Sequence, residues 1–501
     1  MKIPAHTLKH QLTLHSWVGI TSAILLTISF ITGSLTVFSE DISRWASPPA
    51  AEIRPAADMA ELARLMQHMA EHPEHTSSFL LYLHTDENAP APLHWETGDS
   101  ETWAYLDADG TLHSHTRPAT AAGHVLDELH RTAGIPTIAG EYSMGIVAIL
   151  YLLALISGTL LALPKLGQQC LALRLNHSRR RAWLDIHNLL GLTALPFHLI
   201  IAVTTVLFVF AAPLSTLLQP LAPPPPVAEN HTIDERPLLP PQALVAAAQH
   251  EIPDLQIRFL AFDSLADREQ ALAVVVGEQP GGGRQLYLAL HPYSGALRYR
   301  NHGGDHYARA RDILHELHFG NYGGYPLRWL YFALGLGGAL LFYSGNRLWL
   351  DKRARSGARR DVRILAALTE GCTYGSISGI ALILLTARLP LPVARETLAW
   401  TSYYLPFLAA IAYAHLKGAA SRIPLMRGAG ALLCAIPAST LLAAVGLLPF
   451  TPRLLPLVDA TALAFGIALL ATARRTASAT NIHTPRRYPV CKRAKPRLHT
   501  H

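Results

Sequence analysis

The chain is poor in charge and in sulphur. Only 15% of its 501 residues are Asp, Glu, Lys or Arg, while 50% are hydrophobic, a balance too apolar for an ordinary soluble globule. Its four cysteines, Cys170, Cys372, Cys434 and Cys491, fall outside the two long polar segments at 40–141 and 212–325. No disulfide framework therefore holds those segments. A glycine motif in the strand–turn–helix setting of a dinucleotide fold is missing too. Gly281, Gly282 and Gly283 join two strand-like runs, and the glycines around Gly335 lie within an apolar run. Without such a fold the chain is not expected to oxidise NAD(P)H itself.

What it has in quantity is long apolar runs. Eight reach the length of roughly 20 residues needed to cross a bilayer: about 14–38, 142–163, 187–211, 326–346, 364–387, 398–416, 428–449 and 455–474. The first is too long for a signal-peptide core and lacks a small-x-small cleavage site before Glu40 and Asp41, so it is expected to stay as a span. Lys and Arg gather in 164–186, in 346–363, after the sixth run and in the tail (Arg486, Arg487, Lys492, Arg493, Lys495, Arg497). With eight spans and both termini in the cytoplasm, all of these lie on one side. The net charge of +7 is then a topology signal, with the tail lying on anionic lipid or free, and no nucleic-acid partner is needed. The expected divisions are a first span (1–39), an exported segment (40–141), two spans around a basic loop (142–211), a second exported segment (212–325), a fourth span and basic loop (326–363), four accessory spans (364–474) and a basic tail (475–501).

The membrane unit occurs twice. LTLHSWVGITSAILLTISFITGSLTVF from Leu12 aligns without a gap with LDIHNLLGLTALPFHLIIAVTTVLFVF from Leu184, placing His15 on His187, Gly19 on Gly191 and Thr32 on Thr204. ELHRTAGIP around His130 matches ELHFGNYGG around His318, and each precedes an apolar run ending in Ser-Gly (Ser157-Gly158, Ser344-Gly345). Ionisable groups beside lipid are costly and so are functional candidates. Paired histidines are also what a bis-imidazole haem needs. No C-x-x-C-H is present, so any haem would be non-covalent and b-type.

Each exported segment reads as a small α+β domain. In the first, a helix over 57–71 precedes strands at 78–84, 102–106 and 111–115, with an Asp109-Gly110 turn. In the second, a Pro-rich spacer at 223–226 precedes a helix at 241–250 and strands at 256–262, 271–276, 284–290 and 297–300. AYLDADGTLHSH and YLALHPYSGALRYR are corresponding hairpins. His68, His72, His75, His84, His94, His113, His115 and His124 crowd the first segment. No spacing among them matches a known metal cage, and a solvated surface is expected.

The hairpin YLALHPYSGALRY is similar to the strand–turn–strand signature of PepSY domains. LHSWVGI, ELHRTAG, HNLLGLTALPF and ELHFGNYGGYP resemble the motifs of the PepSY-associated transmembrane family, over about residues 8–350. That family includes inner-membrane ferric-siderophore reductases with two haems in a four-helix bundle. With the eight apolar runs, the resemblance implies a membrane all-α bundle of about eight helices, its four-helix core formed by the two tandem repeats, with two small α+β PepSY-like periplasmic domains. It also implies two haem b groups and a ferric siderophore as acceptor; with no nucleotide site in the chain, electrons are expected from a quinol or a separate cytoplasmic donor. Two features depart from the family: the first hairpin turns on Asp-Ala-Asp-Gly in place of Pro-x-Thr/Ser-Gly, and the last four runs extend past the core.

Repeats that run in the same direction are related by an axis along the membrane normal, so His15 and His187 can meet across it and hold one haem; the bland alternative is a histidine ending a helix at the headgroups. His130 and His318 pair the same way on the outer side, in loop-like sequence, with His315 competing. His198 lies eleven residues after His187 and returns to nearly the same face of one span, a rise of roughly 16 Å; it is a further ligand candidate or a buried, hydrogen-bonded histidine. Arg131 and Arg328 outside, and Arg181 or Arg347 inside, are candidates for haem propionates, although snorkelling explains the inner two equally well. The rival functions are a siderophore or metal permease and a non-catalytic module that binds another protein.

Overall fold

The computed structural model describes residues 4–482 apart from 50–51, 56, 99, 108, 166–177, 219–235, 279–284, 301–305, 354–359, 392 and 454. Cys170, Cys491, the Pro-rich spacer, the triple-glycine loop and the tail from 483 onward lie outside the described residues.

The core bundle uses both repeats. Helix α1 (Ala5–Thr36) runs unbroken, and most of its hydroxyls return hydrogen bonds to the preceding turn (Ser22 to Val18, Thr27 to Ala23, Ser34 to Phe30), while Ser29 donates to the His130 carbonyl. After it come α2 (Ser39–Ala46), α3 (Met59–Glu71), α4 (Ala122–Thr132) and α5 (Thr137–Ala162). The third run is two helices, α6 (Arg179–Thr193) and α7 (Leu195–Leu218), bent by 68°. Pro196 is the cause: it has no N–H to give, and its ring clashes with the carbonyl four residues back. Ile24 stands at that position in the first repeat, which is why α1 stays straight. The described helices continue with α8 (Pro241–Glu251), α9 (His306–Phe319) and α10 (Gly324–Arg353). Helix α1 packs on α5 and α10, α5 on α7, and α10 on α6.

The same punctuation ends α4 and α9. Ala133 and Gly134 turn left-handed (φ 52° and 81°) before α5, and Gly320 and Gly324 do so (φ 63° and 60°) before α10. ELHRTAGIP and ELHFGNYGGYP are therefore helix ends followed by re-entry into the membrane. His130 and His318 sit on helices, in place of the loops expected. Both segments are short and polar on one face, which hides their apolar side (Val125, Leu126 and Leu129, fully buried, in α4).

The two long polar segments do not form two separate domains. Their strands make one antiparallel sheet ordered β4-β3-β2-β1-β5-β6-β7-β8. In chain order these are β1 (Ser78–Tyr82), β2 (Leu93–Thr97), β3 (Ser100–Leu106), β4 (Leu112–Pro118), β5 (Gln256–Asp263), β6 (Leu272–Glu278), β7 (Gln285–Leu290) and β8 (Leu297–Arg300). The equivalent strands β1 and β5 pair from Ser78↔Asp263 to Tyr82↔Phe259, so each half covers the edge the other would expose. One core joins them, with Leu65, Met69 and Leu81 meeting Leu244, Leu260 and Phe262. Strand β2 has no alternating pattern and escaped the sequence reading. In the β3–β4 hairpin, Gly110 (φ 86°) takes the left-handed position that Gly295 (φ 72°) takes in the other hairpin, and Asp107 Oδ1 accepts from Thr111 N at 2.9 Å. Asp-Ala-Asp-Gly thus closes the same kind of turn.

Six segments are long and apolar enough to cross a membrane, or seven if the bent α6–α7 pair is one span, against the eight expected. The difference lies in Arg395–Ala444, a single 50-residue stretch by hydropathy, which would be about 75 Å long as one helix. It breaks at Gly418–Ser421 into α12 (Arg395–Lys417) and α13 (Arg422–Ala444), between α11 (Arg360–Ala387) and α14 (Pro456–Ile482). Gly371, Gly375 and Gly379 lie against Ile411, Phe407 and Tyr403, so α12 runs antiparallel to α11 at backbone contact. Helix α13 runs back along α11: Tyr374 meets Met426 near one end, and Arg388 donates to Thr440 at the other.

Candidate functional site

The four repeated histidines form two facing pairs. His15 (α1) and His187 (α6) have ring centres 6.1 Å apart at 77°; His130 (α4) and His318 (α9) are 6.3 Å apart at 42°. A metal–imidazole bond of about 2.0 Å on each side, with about 1 Å from nitrogen to ring centre, puts two imidazoles on opposite faces of one ion about 6 Å apart.

Each ring is held by the same nitrogen. His15 Nδ1 donates to the Ala154 carbonyl at 2.9 Å, and His187 Nδ1 to the Leu341 carbonyl at 3.1 Å, with Ser344 Oγ at 3.0 Å. His130 Nδ1 donates to the Ser29 carbonyl at 2.9 Å. His318 Nδ1 is 2.7 Å from Thr204 Oγ1, whose own proton goes to the Ile200 carbonyl. Acceptors at Nδ1 fix the proton there and leave the Nε2 lone pair free, the arrangement that orients a ligating imidazole. Burial, and after it His130 and His315, push His318 down to about 3, and burial lowers His130 as well, so the outer pair is neutral at pH 7.

The repeated Ser-Gly pairs seat the inner rings. Ser157 Oγ lies 3.4 Å from His15 Nδ1, and a Cβ on Gly158 or Gly345 would lie 2.9 or 3.2 Å from the Cε1 of His15 or His187. The sequence displayed this repeat without its purpose. On the outer side a Cβ at Gly33 would fall 2.6 Å from the His130 ring. Gly33→Ala is therefore expected to displace His130 from Ser29, and with it any haem that the His130–His318 pair would hold, measured as haem content of the purified protein. Unchanged haem content would show that the ring has no such constraint.

The remaining candidates stand apart from these pairs. His315 lies against Phe319 and Phe208, with ring centres 4.4 and 6.2 Å away, and in neither facing pair. His198 follows the bend and so does not stack above His187 on one straight span. It is fully buried among Phe30, Tyr151 and Phe197. Each proposed propionate arginine already faces a carboxylate of the chain: Arg131 pairs with Asp127, Glu128 and Glu141, Arg328 with Asp41, Arg181 with Asp185, and Arg347 with Glu370. A propionate would have to compete with these.

Glu370 was not foreseen. It is 4% exposed, 3.0 Å from Arg347 and 3.8 Å from Arg422, and it accepts from Tyr343 Oη at 3.0 Å. This cluster ties α10, which seats His187, to α11 and α13. One acid in a long apolar run was its only signal.

The donor set, the spacing and the anchored Nδ1 atoms fit two bis-imidazole haems. Comparison with known proteins agrees with the architecture. The chain is 30% identical to an uncharacterized protein of Pseudomonas aeruginosa over 259 residues, covering 44% of this chain and 65% of that protein. The model of the PepSY-associated TM region matches residues 12–352, from just before His15 to the end of α10. With both histidine repeats and the shared sheet inside that match, this multi-pass membrane protein belongs to the PepSY-associated transmembrane family.

Proposed function

We propose that the protein is an inner-membrane electron carrier that holds two b-type haems and reduces a ferric siderophore on the periplasmic side. The observation that carries this reading is the pair of facing imidazole couples with Nε2 free. His15 and His187 would hold the inner haem and His130 and His318 the outer one. Bound haem supplies one-electron transfer; the chain supplies ligands, water exclusion and docking. Ser29, lying fourteen residues beyond His15, places the two pairs about 21 Å apart along α1. Phe30, Tyr151 and Phe342, with ring centres 4.9 to 5.8 Å apart, fill the interior between them. One electron delivered outward converts the bound Fe3+ to Fe2+, which hard-oxygen chelators hold less well. In this reading Arg395–Ala444 crosses twice, giving eight spans with both termini cytoplasmic and the PepSY-like sheet outside, where it shapes the docking surface. Electrons enter from a quinol or a cytoplasmic donor.

One observation favours a siderophore permease instead: the broken span at Pro196, since carriers use interrupted helices. Purified protein separates the two. A dithionite-reduced b-type spectrum, reoxidised by ferric siderophore and unaffected by the iron-free ligand, is the expected result. Colourless protein would favour the permease or a non-catalytic binding module.

A further inference from the structure

A second group of metal-type donors lies on the exported sheet domain, far in sequence from either histidine pair. His68 and His72 are four residues apart at the end of α3 and share a helix face, with ring centres 4.5 Å apart. Pro73 cannot continue the helix, and the chain turns, His75 N donating to the His72 carbonyl at 3.2 Å. The turn carries His75 back over the same face, 5.8 Å from His72 and 6.1 Å from His68 between ring centres. Glu74 returns with it and accepts from His72 Nδ1 at 2.9 Å. One ligand atom each from His72, Glu74 and His75 lie within 4.8 Å of one another.

We propose that this cluster is a binding site for a first-row divalent transition metal ion, with His72, Glu74 and His75 as ligands and His68 completing the set. Imidazoles with one carboxylate form the donor set of Zn2+ and its neighbours, whereas Ca2+ and Mg2+ prefer oxygen alone. A cation placed among these rings would be held by their nitrogen lone pairs and by the Glu74 charge. The site shares no residue with the haem reading, and each can fail without the other.

The test uses the full chain in detergent, washed with EDTA and carrying no histidine tag, titrated with ZnCl2 by calorimetry near pH 7. Wild type is expected to bind Zn2+ and not Mg2+, and the His72→Ala/His75→Ala variant to bind about 100-fold more weakly, with haem content unchanged. His115→Ala, on the exposed face of β4, should bind as wild type does. If the double variant melts early, Glu74→Gln takes its place, with a loss of about 10-fold expected. Absence of Zn2+ binding in wild type, or equal affinity in the cluster variants, overturns the proposal.

Discussion

Replacing His187 by alanine is expected to leave one haem per chain in place of two and to cut siderophore reduction about 100-fold or more. The substitution removes one Nε2 and leaves His15 anchored to the Ala154 carbonyl with nothing opposite it. His130 and His318 are held by other residues, Ser29 and Thr204, so the outer haem should remain, cut off from its electron supply. His187→Met gives the discriminating contrast, because a thioether can still ligate: haem is expected to stay, with a raised potential. His198→Phe keeps the volume of a ring already surrounded by aromatics, and both haems should persist. Loss of haem from His198→Phe, together with its retention in His187→Ala, would reassign the ligands. Absorption spectra with a haem-to-protein ratio, followed by redox titration, read all three variants.

The second large effect is on stability. Glu370→Ala is expected to cost about 3 kcal/mol, because it strands the Arg422 guanidinium and leaves Arg347 with Asp351 alone, 3.5 Å away. Arg347 and Arg422 are only 15% and 13% exposed, and Tyr343 would lose its acceptor. Leaving a charge uncompensated is what costs most, so Glu370→Met combined with Arg347→Met and Arg422→Met should recover much of the loss. Since α10 carries Ser344 and Gly345 against His187, the single variant should also lose the inner haem at a lower temperature than the outer. Thermal melts followed at both haem bands check this. A melting temperature within a degree of wild type would mean that the cluster is open to water.

The membrane class, the duplication and the four facing histidines were legible in the sequence, because each is a summed or repeated property. Hydropathy adds over some twenty residues, and a gap-free repeat carries His15 onto His187. Features set by single residues or distant contacts were hidden. Pro196 was visible, but its effect depends on whether neighbouring helices absorb the bend, and they do, at 68°. The joining of the two exported segments rests on β1 pairing with β5, strands nearly two hundred residues apart, which no local pattern encodes. Helices α4 and α9 looked like loops because each is short and buries only one stripe. At Arg395–Ala444 hydropathy runs through the turn at Gly418–Ser421 and masks the reversal of the chain. His68, His72 and His75 looked like solvated surface, since their approach depends on the turn at Pro73.

The most direct measurement of the central claim is the number and ligation of haems in the purified chain, by haem extraction against protein mass together with low-temperature EPR. Two haems per polypeptide, both low-spin, are expected. Their signals should be resolvable, because the imidazole planes cross at 77° in one pair and 42° in the other. A chain that folds and enters the membrane without haem, or one whose iron is high-spin at both positions, would contradict it.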